Sequence, residues 1–352
     1  WETPAGRWVA GAEFYSDRVD SFLREFDPAG ALAAVRVQGP VADDARHDIS
    51  GLFAEDRVRL TPRLHAIVGG RLQHTRINAG KVAMPGRTDA FSIKTETTAF
   101  AGNVRLIQSI DPRGNWKVFA GASQGVRAPN LSDLTRFDIA EAGQIETPVA
   151  ALDPERFLTF EGGLRAAWAR AQAEVVYYHT TIDRLIVRTP TGAKVTGLDE
   201  VTKRNSGQGY IRGVELDTRA ALTDALSLRG VLSWMEGRLE SYPTAAPVLV
   251  EEPVSRLMPL TAIGAARWQR GAWWATATVT HALKADRLAT QDRVDTERIP
   301  PGGTPGYTVG SVRVGWQFAQ HFLLTAALEN VTNEDYRIHG SGLNEPGRNL
   351  VL

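Results

Sequence analysis

Apolar residues return at every second position along much of the chain, the period of a strand with one apolar and one wet face rather than that of a helix. Around Thr98 the even positions are Phe100, Gly102, Val104 and Leu106, against Ala101, Asn103 and Arg105. Leu158, Phe160, Gly162, Leu164 and Ala166 alternate in the same way with Thr159, Glu161, Gly163 and Arg165. Leu228, Gly230, Leu232 and Trp234, and later Val312, Val314, Trp316 and Phe318, repeat the pattern. It predicts about fourteen strands of roughly 10 to 14 residues, longer than those of soluble sheets and long enough, when tilted, to cross a hydrocarbon layer of about 30 Å.

The connections alternate between two kinds. Short polar turns fall at Thr61-Pro62-Arg63, Asp111-Pro112-Arg113-Gly114, Ala169-Arg170, Leu222-Thr223-Asp224, Gln269-Arg270-Gly271 and Ala319-Gln320. Between them lie long segments rich in Asp, Arg, Gly and Pro: Asp17 to Asp44, Ile77 to Lys94, Arg127 to Pro154, Arg188 to Gly207, Glu240 to Arg256 and Leu283 to Gly306. A strict short–long order places all tight turns at one end of a sheet and all large loops at the other. That is the plan of a transmembrane β-barrel with short periplasmic turns and long extracellular loops. Trp116, Trp168, Trp268, Trp273, Trp316 and Phe318 all lie close to a short turn, as an interfacial aromatic girdle requires. The polar strand face then lines a lumen, with Arg105, Glu161, Arg165, Glu174, Glu215, Asp217, Arg219, Arg229, Arg313 and Glu329 on it. Mixed signs at near balance suit docking of a folded plug better than a strongly ion-selective pore.

Composition narrows the class further. Lys plus Arg and Asp plus Glu are 40 each in 352 residues, which argues against a nucleic-acid partner. No cysteine is present, so there is no thiol nucleophile, disulfide or thiolate metal site. No charge-free stretch approaches the roughly 18 to 20 residues of a spanning helix, which excludes a helical membrane protein and leaves a barrel untouched.

Four segments in order resemble the TonB-dependent outer-membrane receptors. Gly121 to Leu131 contains Arg127-Ala128-Pro129, similar to the family's strand-to-loop motif, with Val126 where an aromatic is usual. Leu152-Asp153-Pro154-Glu155 followed by Glu161-Gly162-Gly163 resembles the return strand. Asn205 to Gly209 with Ile211-Arg212-Gly213-Val214-Glu215 resembles a later strand pair. Most specific is Glu329-Asn330-Val331-Thr332-Asn333-Glu334-Asp335-Tyr336-Arg337, then Pro346-Gly347-Arg348 before the final strand. The resemblance implies a barrel of about 22 strands in the intact protein, of which about fourteen are expected here. Residues 1–352 read as a single partial barrel domain, with the plug, its coupling box and the first barrel strands expected outside this sequence. Such a piece, with two unpaired edges, is expected not to form a stable monomeric pore by itself.

The resemblance implies an importer of a bulky scarce nutrient. A ferric siderophore is foremost, with cobalamin or haem as alternatives. Its partners would be outer-membrane lipid, a metal-chelate small molecule and a TonB-type inner-membrane energy coupler reached through the plug. The intact protein is expected to be a monomer with no cofactor. A passive porin is the rival within the barrel class. Candidate ligand contacts in the outer loops are Arg127, Arg136, Phe137, Tyr242 and His339, because arginine and aromatic groups suit chelate anions. Gly121-Ala122-Ser123-Gln124-Gly125 also fits a hydrolase elbow, but its alternating flanks lack the βαβ frame that motif needs. The histidines are scattered singly with no metalloprotease spacing, and none lies in residues 127–158, which disfavours haem. No catalytic residue and no metal site are assigned.

Overall fold

The computed structural model describes residues 6–85, 89–141 and 143–352. Its strands are β1 (Gly6–Val19), β2 (Arg24–Phe26), β3 (Leu32–Val35), β4 (Asp43–Arg59), β5 (Leu64–Val82), β6 (Phe91–Ser109) and β7 (Trp116–Arg127). After the short helix α1 (Leu131–Thr135) come β8 (Asp138–Glu141), β9 (Gln144–Thr147), β10 (Glu155–Ala167), β11 (Ala171–Val195), β12 (Leu198–Ala221), β13 (Leu226–Ser241), β14 (Val250–Pro253), β15 (Thr261–Arg270) and β16 (Trp273–Ala282). Helix α2 (Thr290–Val294) precedes β17 (Tyr307–Ala319), β18 (Phe322–Glu329) and β19 (Asn349–Val351).

Fourteen of these pair antiparallel in one succession: β1, β4, β5, β6, β7, β10, β11, β12, β13, β15, β16, β17, β18 and β19. No rung joins β1 to β18 or β19 among the described residues. The short-turn end is built as the sequence predicts. Thr61 Oγ1 accepts the Leu64 amide at 3.0 Å, and Asp111 Oδ1 accepts the Trp116 amide at 2.7 Å. Gly114 and Gly271 adopt φ of +69° and +56°, the left-handed conformation that glycine takes without strain.

The aromatic girdle is present and in contact with itself. Trp116 and Trp168 meet edge to face at 5.2 Å, Trp273 stacks on Trp316 at 5.0 Å, and Phe318 continues the row to Phe322. Each of these six rings remains exposed on the outward face, as interfacial anchors must.

The loop end departs from expectation at two places. The segment Arg188 to Gly207, predicted as a loop, is the upper half of a β11–β12 hairpin that stands well above the girdle end. Thr196 and Gly197 both take positive φ, at +50° and +87°, between the pairs Val195↔Leu198 and Lys194↔Asp199. That is a two-residue turn whose twist matches the hairpin. Both faces of this hairpin are polar, so it lacks the alternation by which the lower strands announce themselves. The segment Ile77 to Lys94 is likewise strand at both ends, its connection running only from Ala83 to Ala90, of which residues 86–88 lie outside the described residues. The long segment Asp17 to Asp44 holds the small β2–β3 hairpin, pinned by Arg36 on Glu25 at 2.7 and 2.8 Å.

Candidate functional site

On the inward strand face, the charges that balance in the sequence balance in space. Arg105 donates to Glu161 at 2.8 Å, Arg229 to Asp217 at 2.8 Å, and Arg313 lies 3.5 Å from Glu329. Arg165 faces Glu174 at 3.8 Å, Arg219 faces Asp217 at 3.4 Å, and Arg71 pairs with Glu13. Arg105 and Glu161 are on β6 and β10, two strands apart, and they meet because Gly121 of β7 lies between them in register. A Cβ at Gly121 would come within 3.1 Å of the Glu161 carboxylate. Gly213 works in the same way, since a Cβ there would sit 2.6 Å from the Tyr178 hydroxyl lying across it. Small residues thus make room for long polar ones, and the wall becomes a ladder of wet ion pairs. Each such exposed pair contributes about 0–1 kcal/mol, so the ladder shapes the lumen's surface more than it stabilises the sheet.

At the loop end, the connection from β7 to β10 folds inward over this face. Its anchor is Arg127, which donates to both Glu155 oxygens at 2.5 and 2.8 Å and to Asp133 at 2.7 Å. Asp133 and Asn130 cap α1 reciprocally, each side chain accepting the other's backbone N–H at 3.0 and 2.8 Å. Leu131 and Leu134 then pack on Ala45, Ile77, Ala79 and Ile93, the inward residues at the tops of β4, β5 and β6. Gln38 and Thr135 join the same corner, with Gln38 Nε2 donating to the Thr135 carbonyl at 2.9 Å. On its other side the loop pairs β9 parallel to β12, from Gln144↔Asp199 to Thr147↔Thr202.

That pairing buries Glu146 at 1% exposure. Its carboxylate accepts from Arg188 Nε at 2.8 Å and lies 3.5 Å from the Lys203 ammonium, which also donates to Asp133 at 3.0 Å. Arg136 approaches the same carboxylate at 4.0 Å and Asp138 at 3.6 Å. Burial pushes the Asp133 carboxyl upward, but the Asn130 amide, Arg127 and Lys203 outweigh it and hold it below the usual carboxylate range. Two carboxylates on one loop and one at the root of β10 therefore tie that loop to β7, β11 and β12. The loop is a preformed element that spans from β12 to β5 on the inward side.

The sequence matches the family described as TonB dependent receptor-like, beta-barrel, over residues 1–331. The chain belongs to the TonB-dependent receptor β-barrel family. Among solved structures it resembles the copper transporter OprC, with a TM-score of 0.75 and 16% identity over 99% of this chain and 54% of that one. It also resembles the FrpB iron transporter from Neisseria meningitidis, with a TM-score of 0.72 and 15% identity over 99% of this chain and 52% of that one. The siderophore receptor PiuA from Acinetobacter baumannii gives 0.70 and 13% over 99% and 53%. At these identities the likeness is one of fold, and the chain spans about half the length of each of these structures. Such receptors are outer-membrane proteins of Gram-negative bacteria, and transporters rather than enzymes. Ser123 accordingly sits inside β7, paired with Asn103 and Thr159 on its two sides, with no strand-to-helix elbow around it.

The receptor barrel's most specific motif has a mechanical explanation. Asn330 and Asn333 follow β18 with φ of +48° and +56°, a conformation asparagine tolerates better than most residues. Asn330, 3% exposed, accepts the Glu334 amide at 2.8 Å and donates to the carbonyls of Glu334 and Pro346 at 2.8 and 3.0 Å. Asn333 accepts the Arg348 amide at 2.9 Å, close enough to Gly347 that a Cβ there would lie 2.8 Å from its oxygen. Arg348 Nε returns to the Val331 carbonyl at 3.0 Å, and Tyr336 packs on Tyr307 with ring centroids 4.5 Å apart. The motif is a clasp that closes the last loop and delivers the chain into β19.

The candidate ligand residues are spread over this end of the barrel. Arg127 anchors the inward loop, while Arg136 and Phe137 follow α1 on that loop's half-buried rim. Tyr242 is half-buried just beyond β13. His339 is 7% exposed, with Nδ1 2.8 Å from Thr304 Oγ1. Burial, and then Arg256, push its pKa down against the pull of Asp292. Sequence reasoning missed Glu146, Asp133 and Lys203, and met Glu155 only as part of a family segment, without its role. Acidic residues in a polar segment look like solvated ones, and nothing local marks the pairing that buries them.

Proposed function

We propose that this chain is the transport barrel of an energy-coupled receptor that imports a bulky metal chelate, a ferric siderophore foremost, with cobalamin or haem as lesser candidates. It would act as part of a longer monomeric protein whose plug fills the lumen and passes energy from a TonB-type coupler. The observation that carries the reading is the loop between β7 and β10. It is folded across the inward face and held there by Arg127, Asp133, Glu146 and Lys203, an arrangement that suits capture of a large solute and obstructs free diffusion of small ones. The polar ladder below it offers a surface on which a folded, charged plug can dock and slide. Arg136, Phe137, Tyr242 and, once its loop opens, His339 are the proposed contacts for an anionic aromatic chelate, with Arg127 setting the loop's position.

The test is uptake of radio-iron chelates by cells carrying the full-length gene in a strain stripped of its own chelate receptors. Uptake should saturate at low chelate concentration and stop when a protonophore collapses the inner-membrane gradient. Uptake that rises linearly with concentration and ignores the protonophore would make the protein a passive pore instead.

A further inference from the structure

The outward strand face changes character at the height where the membrane should end. β13 begins at Leu226, level with the girdle residue Trp268 with which it pairs, and Glu236 stands ten residues further up. At about 3.3 Å per residue and a tilt near 45°, that is about 23 Å, the height of the apolar band of such barrels. At this level the sheet parts. β13 pairs with β15 up to Ser233↔Thr261 and with β14 from Arg238↔Pro253, the Val254 amide still reaching the Gly237 carbonyl at 3.1 Å, while residues 255–260 bow away between the two. The gap leaves a groove of about 510 Å³. Trp234, Met258 and Leu260 floor it, with Tyr210 opposite Arg238 at its upper edge, and Trp234 and Leu260 belong to the same outward set as the lipid-facing Leu228, so the floor continues the lipid-facing surface.

The rim of the groove carries Arg238, Lys284 and Arg287 against Glu236 and Asp286, and Arg212 and Glu251 bind to that rim from just outside it. Arg212 Nε and Arg287 Nη1 converge on the single carboxylate of Glu236 at 2.6 and 2.9 Å. Arg238 binds Glu251 at 2.5 Å, and Lys284 and Asp286 complete the rim. Four cations face three carboxylates, with the excess at the two guanidiniums that share Glu236. Apolar below and cationic above, at the depth of the headgroups, the groove has the polarity of an anionic lipid.

We propose that this groove is a binding site for a phosphate-bearing lipid of the outer leaflet, its acyl chain lying over Trp234 and Met258 and its phosphate on Arg212 and Arg287. Planar guanidiniums suit a phosphate bidentately, and the apolar floor selects a lipid over free phosphate. This assignment does not depend on what the receptor transports.

The test uses full-length receptor purified in mild detergent, incubated with bisphosphorylated lipid A and weighed intact by native mass spectrometry. The wild type should retain one such lipid, dephosphorylated lipid A should be lost, and inorganic phosphate should not displace the bound molecule. The double variant Arg212→Gln/Arg287→Gln should retain it about thirtyfold less well, the effect of removing two basic groups at a lipid surface. Glu236→Gln should retain it better, because both guanidiniums lose their competitor. Arg270→Gln, in a turn at the opposite end, should match the wild type. Heat-modifiable migration reports whether each variant is folded. If the double variant does not fold, the direction of the Glu236→Gln change decides. Equal retention of phosphorylated and dephosphorylated lipid, an unaltered folded double variant, or weaker retention by Glu236→Gln would overturn the assignment.

Discussion

Replacing Arg127 by Gln should release the inward loop without unfolding the barrel. Arg127 makes three charge-assisted hydrogen bonds, two to Glu155 and one to Asp133. The acceptor side chains are only 4% and 8% exposed, so the variant strands two carboxylates that water reaches poorly. Breaking a buried pair by removing one partner costs about 3–5 kcal/mol. Two features reduce that figure: the Arg127 side chain is itself 40% exposed, and Lys203 still donates to Asp133. A local cost of about 2–3 kcal/mol remains, which corresponds to opening of residues 128–154 about 30- to 150-fold more often. Limited trypsin digestion of the full-length receptor reads this directly, since Arg136 is a cleavage site on the loop itself. Cleavage there should accelerate by that factor while heat-modifiable migration stays normal. Asp138→Asn, which removes only a 3.6 Å contact to Arg136, should leave the rate within about threefold of wild type. If Arg127→Gln is also within threefold, the ion-pair anchor is not what holds the loop.

The clasp after β18 should fail in steps. Asn330→Ala loses three hydrogen bonds and places alanine at positive φ, together about 2–4 kcal/mol, whereas Asn330→Gly loses the same hydrogen bonds without the roughly 1 kcal/mol cost of a side chain at that φ and should lose correspondingly less. Hydrogen exchange over residues 331–348 ranks the two, and equal protection in both variants would contradict the assignment. The two loop systems should also loosen at different acidity. Burial lowers the pKa of His339, so its opened state takes up a proton first, and protection of its loop should weaken as pH falls through about 6.5. His339→Gln should remove that dependence, measured by hydrogen exchange corrected for its intrinsic pH effect. Asp133 is held below its ordinary value, so its contribution persists until pH falls below about 4 and is lost through the still lower folded value. Protection of residues 128–154 that faded between pH 7 and 5 would contradict this. At the girdle, Trp316→Ala removes a ring that stacks on Trp273 and touches Phe318, which should lower stability against urea in lipid by about 1–3 kcal/mol. A drop no larger than that of Val294→Ala, in an exposed loop helix, would mean that the ring anchors nothing.

The lipid-spanning half of the fold was legible because lipid imposes a period on sequence. Every second residue of a spanning strand must be apolar, as at Phe100, Val104 and Leu106, and every tight turn needs residues such as Thr61, Asp111 or Gly271. The tryptophan girdle followed for the same reason, since an interface fixes the height of such a ring. The clasp motif was visible as a string, but its meaning lay in Asn330 reaching Pro346, sixteen residues on. Above the membrane that constraint ends. Polar side chains on both faces of the β11–β12 hairpin, one of them covered by the β7–β10 loop rather than by lipid, erase the alternation, so a strand there reads as a loop until Thr196 and Gly197 are seen to turn it. The burial of Glu146 and the convergence of Arg212 and Arg287 on Glu236 depend on strands far apart in sequence arriving at one height. Local composition fixes which face of each strand meets lipid. Only the register between strands decides which charges meet.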